Sequence, residues 1–361
     1  MPFSDRENRH ARYIQALFKD LEDALPAVWG RPIYTVFLGG GTPSLFTPLE
    51  IDTLLAGIRA RVPLVASTEI TLEANPGTFE KDRFAAYRAA GVTRLSIGVQ
   101  SFDDRYLQAI GRVHNGEQAR QAVQEAAQHF ETWNIDLMYA LPGQSLSDWQ
   151  ADLQTALAFQ PPHLSIYHLT IEPHTVFAKY PPSTLPDSDL ASDMLDKALE
   201  YTAAAGVTRY EVSAYSRAGH RCQHNLNYWR FGDYLGIGAG AHSKLSFPDH
   251  TEGICRQVRY RDPVQYMSHA AQGQAVAQST KVNSVDRPFE FMLGALRLVD
   301  GLPLSVFIER TGLGLHTVWQ TLEEAQRRGW IQITKQHEQE WLMSTALGLD
   351  WLNDVQSLFL P

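Results

Sequence analysis

Between Ile33 and Thr170 the chain repeats one pattern: a short run of aliphatic and β-branched residues, a turn, then an amphipathic stretch of helical period. The apolar runs are Ile33–Leu38, Glu69–Glu73, Leu95–Gln100, Ile135–Tyr139 and Leu164–Thr170. The helical stretches are Thr47–Val62, Phe79–Ala90, Glu117–Phe130 and Ser147–Phe159. Strict alternation gives every strand a crossover helix before the next, so the strands must be parallel and the crossovers right-handed. Thr47-Pro48-Leu49-Glu50 marks one helix start in detail, with a capping-box pair and proline at the first helical position. A helix also precedes the first strand, because Tyr13, Ile14, Leu17, Phe18, Leu21 and Leu25 recur on one helical face.

Parallel α/β folds bind ligands at the carboxyl ends of their strands. Here the first strand runs through Val36-Phe37-Leu38 straight into Gly39-Gly40-Gly41 and the turn Thr42-Pro43-Ser44. Glycines at that point let backbone N–H and C=O groups approach a ligand with no Cβ in the way. Glu73, Gln100 and Asp136 then put polar side chains into three further strands that are otherwise apolar, where an unpaired polar group costs about 2 kcal/mol or more. Together with Arg112, in Ile110-Gly111-Arg112-Val113-His114, they form a candidate site.

A second constellation is His224-Asn225-Leu226-Asn227-Tyr228-Trp229. A neutral imidazole can act as a ligand, and Tyr and Trp offer flat apolar faces to a planar molecule. The same residues also suit a hydrogen-bonded core cluster, so both readings stand at this point. Cys222 could be a soft ligand nearby or a small buried hydrophobe. Gly236-Ile237-Gly238-Ala239-Gly240 is not a dinucleotide fingerprint, because its third glycine comes too early and no second βαβ unit follows. No nucleophile elbow and no zinc-type spacing occur, and no catalytic residue is assigned.

After a proline-rich loop, Asp187–Ala205 reads as a helix and Tyr210–Tyr215 as a short strand. Around Pro248–Gln278 the periodicity fades into a polar connection; from Arg287 it turns helical over Phe289–Val299, Pro303–Thr311 and Leu315–Arg328, with a strand at Trp330–Thr334. Three segments result: residues 1–245, a connecting segment 246–285, and 286–361 as a small winged-helix-like α+β domain. A net charge of −9, and Glu323 and Glu324 beside Arg327 and Arg328, argue against nucleic acid as a partner. The chain has no apolar run of about 18 residues and no hydrophobic signal region at its start, so the expected location is cytoplasmic, with peripheral membrane contact still open. Two cysteines, Cys222 and Cys255, exclude a disulfide framework.

The segment Gly39–Ser44 resembles the GGGTPS segment of the radical S-adenosylmethionine (radical SAM) proteins, in the branch of the oxygen-independent coproporphyrinogen III oxidases and the HemW heme chaperones. His224–Trp229 matches the HNxxYW motif of the chaperone side. The resemblance implies a partial (β/α)6 barrel, of which this chain shows one strand fewer, the first being missing, with a C-terminal domain of the HemN type. It implies that Gly40, Gly41 and Thr42 receive the methionine amino group of S-adenosylmethionine, that Glu73 and Gln100 meet its ribose and methionine portions, that Arg112 pairs with its carboxylate, and that Asp136 contacts the ribose or adenine side. The glycine run Gly236–Gly240 is implied to close over that end of the barrel. It implies heme handling by His224, Asn225, Tyr228 and Trp229, and a chaperone that delivers heme to acceptor hemoproteins. The alternative is an oxidase that converts coproporphyrinogen propionates to vinyl groups. The family's [4Fe–4S] cluster hangs on a CxxxCxxC loop after an earlier strand. Cys222 and Cys255 are too few and wrongly placed for it, so the chain as written is not expected to hold the cluster or any other metal. Of two explanations, a start assigned too far downstream is expected over a protein that truly lacks the cluster, because a missing strand leaves an open barrel edge.

Overall fold

The computed structural model describes residues 3–78, 83–171, 173, 176–182, 184–247, 253–336 and 338–361. The chain opens on α1 (Phe3–Val28) and then alternates as its periodicity requires: β1 (Ile33–Leu38), α2 (Pro48–Arg59), β2 (Leu64–Ala74), α3 (Arg83–Ala89), β3 (Arg94–Gln100), α4 (Asp104–Ala109), α5 (Gly116–His129), β4 (Thr132–Tyr139), α6 (Leu146–Ala158), β5 (His163–His168), α7 (Val176–Lys179), α8 (Ser188–Ala204), and a hairpin of β6 (Thr208–Glu211) and β7 (Ala214–Ser216). These strands form one seven-stranded sheet in the order β1-β2-β3-β4-β5-β7-β6. The strands β2 to β5 pair in parallel, and Glu73, Ser96, Asn134 and His163 stand level with one another across them. That row of four polar residues crosses a sheet in which Leu72, Leu95, Ile97, Ile135 and Leu164 are fully buried and apolar. Each buried aliphatic side chain contributes about 2 kcal/mol to the core.

Local chemistry fixes where the helices start. At α2 the Thr47 N–H donates to the Glu50 carboxylate at 2.7 Å while the Glu50 N–H donates to Thr47 Oγ1 at 3.2 Å, the reciprocal pair expected from the sequence. Asn115 with Gln118 at α5, and Ser145 with Asp148 at α6, repeat the device. The expected start of the third helix at Phe79 lies outside the described residues.

The short strand expected at Tyr210–Tyr215 is instead the antiparallel β6–β7 hairpin. Its turn is closed by the Ser213 N–H donating to Glu211 Oε1 at 3.0 Å and by the Arg209 guanidinium donating to the Val212 carbonyl at 2.8 Å. Two strands this short read as one run when only their alternation is visible. Helix α4, capped by the Asp103 carboxylate, is likewise too short to show a period.

The chain divides into two compact units, one of Thr35–Asp52 and Ser67–Arg221, the other of Met1–Tyr34, Thr53–Ala66 and Cys222–Pro361. The latter holds α9 (Gln223–Trp229), β8 (His242–Phe247), β9 (Gly253–Arg259), α10 (Pro263–Ala270), β10 (Val276–Val282), α11 (Arg287–Ala295), β11 (Leu302–Pro303), α12 (Ser305–Thr311), α13 (Trp319–Arg327), β12 (Ile331–Gln336), β13 (Gln339–Ser344), α14 (Ala346–Asp350) and α15 (Leu352–Ser357). Much of the supposed polar connection is an antiparallel sheet, ordered β10-β9-β8. Every residue of β10 before Val282 is exposed, so the strand carries no apolar alternation to betray it. A second three-stranded sheet, β11-β13-β12, packs with helices α11 to α13 as the small C-terminal α+β domain. Among the described residues no helix is long and apolar enough to cross a membrane.

Candidate functional site

The glycine edge is built from below. Ser44 is buried; its carbonyl accepts from the hydroxyl of fully buried Tyr87 at 3.1 Å and from Arg83 at 2.8 Å, and the same Tyr87 hydroxyl reaches the Phe46 carbonyl at 2.7 Å. Pinned there, the turn leaves Gly39, Gly40 and Gly41 exposed. Gly40 and Gly41 sit at φ +73° and +58°, left-handed conformations that favour glycine, and a Cβ on either would meet nothing within 4 Å. The bare backbone therefore faces open space. Thr42 follows with a side chain that caps no helix.

Glu73 couples this edge to the sheet, because Glu73 Oε2 accepts from the Gly40 N–H at 3.1 Å. Burial raises the Glu73 pKa and the Gly40 bond partly offsets it. Asp136, two residues beyond the polar row on β4, is pushed up to about 6, first by burial and also by the Glu73 charge, against hydrogen bonds that lower it. Its Oδ1 accepts from Asn134 Nδ2 at 2.7 Å and its Oδ2 from Ser96 Oγ at 3.4 Å. The guanidinium of Arg112 completes the charge set: burial lowers its pKa while Asp136 raises it. Among the described residues Arg112 makes no side-chain hydrogen bond or ion pair, which leaves a half-buried cation in want of an anion.

Gln100 ends β3 in a left-handed conformation, φ +70°, after an irregularity in the β3–β4 ladder, and is level with Leu137 beside Asp136. Its amide folds back over Gly98, where an added Cβ would meet Nε2 at 3.1 Å. Buried His114 holds the same corner, its Nε2 3.0 Å from the Val99 carbonyl. Gly40, Glu73, Asp136 and Arg112 are thus joined by direct bonds or by mutual electrostatics, with Gln100 alongside. His114, Tyr87, half-buried Ser96 and the buried polar residues Asn134, His163 and Ser165 were not singled out from the sequence. The Asn134/Asp136 pair at strand period and His163 at the head of a strand are the signals that could have found the last group.

In the other unit, His224, Asn225, Tyr228 and Trp229 lie on α9, whose short helix places His224 and Tyr228 one turn apart. Their rings meet edge-on at 5.0 Å, and Tyr228 lies against Tyr234 at 4.3 Å. Burial pushes the His224 pKa down to about 4, so its imidazole is neutral near pH 7. Tyr228 is 37% exposed. The Trp229 indole is covered by the Arg297 guanidinium at 4.3 Å. The loop Gly236–Gly240 is bonded to α1, with the Gly238 N–H on Asp20 at 3.2 Å and the Ala239 N–H on the Tyr13 hydroxyl at 2.9 Å. A Cβ at Gly236 would lie 2.1 Å from the His242 carbonyl, so close backbone approach accounts for that glycine.

The residues of this chain do not fit an iron–sulfur cluster. Cys222 is buried at the start of α9, Cys255 lies on β9, and among the described residues no three His, Cys, Asp or Glu side chains gather as a metal site. The glycine edge, the carboxylates and Arg112 do fit a zwitterionic amino acid joined to a sugar: acceptors for an ammonium and for hydroxyls, a guanidinium for a carboxylate.

Residues 6–156 match the Radical SAM superfamily and residues 282–339 the HemN C-terminal domain. The solved coproporphyrinogen III oxidase (HemN) from Escherichia coli has the same fold, with a TM-score of 0.79 at 22% identity over 97% of this chain and 83% of that one. Fold and glycine edge together define a radical SAM protein. The heme chaperone HemW of Escherichia coli is 44% identical over 97% of this chain and 90% of its own length, and that of Haemophilus influenzae 41% identical over 96% and 88%. The chain belongs to the HemW family of heme chaperones.

Proposed function

We propose that this chain binds heme at α9 and passes it to acceptor hemoproteins, on a barrel whose glycine edge takes S-adenosylmethionine. The observation that carries the reading is identity of 44% with a heme chaperone across nearly the whole of both chains. The chemistry of α9 supports it: the neutral imidazole is the form of His224 that can ligate iron, and the Tyr228 ring, itself against Tyr234, lies beside it. Titration with hemin should give a saturable Soret shift. His224→Ala should weaken binding and move the Soret band, and an unchanged affinity and spectrum would remove His224 as the ligand. Cytoplasmic location and heme acceptors as partners belong to the same proposal.

For S-adenosylmethionine, the backbone of Gly40, Gly41 and Thr42 with Glu73 suits the methionine ammonium, Arg112 its carboxylate, and Gln100 and Asp136 the ribose. What the molecule brings is a reducible sulfonium; the residues of this chain bind and orient it. Arg112→Ala should abolish measurable binding of S-adenosylhomocysteine in calorimetry, because a carboxylate would then be buried without its partner. Oxidation of coproporphyrinogen is not assigned, since likeness to HemN at 22% identity speaks to fold alone.

A further inference from the structure

The polar row across β2 to β5 continues beyond the candidate site into the core. His163, Asn134 and Tyr210 are nearly inaccessible at 1%, 3% and 1% exposure, in a place where apolar side chains would pack without the cost of desolvation. Their bonds can be directed in only one way. An ionised Asp136 can only accept, so Asn134 must turn its amide NH2 toward it, at 2.7 Å from Oδ1, with its second N–H on Ser96 Oγ at 2.8 Å. That leaves Asn134 Oδ1 facing His163 Nδ1 at 2.6 Å and Ser165 Oγ at 3.1 Å. A carbonyl oxygen cannot donate, so Nδ1 carries the imidazole proton. Burial keeps His163 uncharged, so Nε2 is bare and must accept the Tyr210 hydroxyl proton at 2.9 Å. Every amide orientation and tautomer is thereby fixed, from a hairpin strand on one side to a carboxylate on the other.

We propose that Tyr210, His163 and Asn134 are positioning residues: a hydrogen-bond relay that orients the Asp136 carboxylate so that its spare lone pairs meet the hydroxyls of a bound ribose. The proposal rests on the S-adenosylmethionine reading for the identity of the ligand. The asymmetry of the relay suits it to this task. It delivers donors to Asp136 and adds no charge, so Asp136 keeps acceptor capacity beside Glu73, which repels it, and Arg112, which attracts it. A merely structural network would stabilise the fold equally whether or not residue 136 could accept.

The test is a double-mutant cycle read by calorimetry with S-adenosylhomocysteine and its 2′-deoxyribose counterpart. Tyr210→Phe should weaken S-adenosylhomocysteine about five-fold, the scale of one hydrogen bond. It should also shrink the preference for ribose over deoxyribose, and have no effect once Asp136→Asn is present. Equal weakening in both backgrounds, or none in either, overturns the relay. His163→Gln, which can still donate to Asn134 and accept from Tyr210, should bind nearly as the wild type where His163→Leu does not; equal loss in both also overturns it. If the wild type binds neither nucleoside, the S-adenosylmethionine reading fails by itself. The relay is then judged by carboxyl NMR, where Tyr210→Phe must move the Asp136 titration midpoint; an unmoved midpoint rejects it.

Discussion

Asp136 carries a conflict between folding and binding that a single substitution exposes. Its folded pKa of about 6 lies above the roughly 3.9 of a free aspartate. Between those values the folded state holds more protons than the unfolded one, so stability falls as pH rises through the window and levels off above it. Asp136→Asn should therefore be more stable than the wild type at pH 7.5, by about 1 to 2 kcal/mol after allowance for partial exposure, with the difference vanishing toward pH 4. Its affinity for S-adenosylhomocysteine should drop. Denaturant unfolding of both proteins across pH checks this, and parallel stability profiles would refute it. Gly40→Ala separates the same two quantities differently. The left-handed φ costs an alanine about 1 kcal/mol, and its Cβ meets nothing in the protein, so a modest loss of melting temperature should accompany a ten-fold or greater loss of ligand affinity. Residues such as Gly40, Glu73 and Asp136 were legible because polar groups and glycines interrupt apolar strands. Tyr210 and His114 were not, because their importance lies in which atoms they face across the fold, and no spacing along the chain encodes that.

Among elements, the turn after β1 and the helix α9 show how local rules place chemistry. The turn is held from beneath by one hydroxyl with two carbonyl acceptors, so Tyr87→Phe should leave Ser44 and Phe46 less well bonded while keeping the ring packed. The expected cost is about 1 kcal/mol in stability. A several-fold loss of S-adenosylhomocysteine affinity should go with it, and an unchanged affinity would mean that the glycine edge holds its shape without the anchor. The strands and helices of the alternating region were legible because each buries one face and so shows its period. What stayed hidden has a common physical cause: α4 and the β6–β7 hairpin are too short to complete a period, and β10 is exposed along nearly its whole length. The HNxxYW segment was readable as a motif but not as a helix, since α9 spans two turns and mixes polar and aromatic residues on all sides.

At the scale of the whole chain the question is which activities are compatible with two cysteines. Thiolates hold an iron–sulfur cluster, and neither the number nor the placement of Cys222 and Cys255 provides a three-thiolate site. The heme binding proposed at α9 asks for none of this: it needs an imidazole ligand, an apolar face and no external electron donor. The two functions should therefore separate cleanly in this 361-residue chain. Anaerobic incubation with iron, sulfide and reductant should leave no stoichiometric [4Fe–4S] signal in electron paramagnetic resonance. Hemin titration of the same sample should give the affinity and Soret position of the untreated protein. Cys222→Ser and Cys255→Ser together should change neither result. A full cluster signal would show that this chain recruits ligands other than those two thiolates. A heme affinity that rose with iron and sulfide treatment would refute the separation.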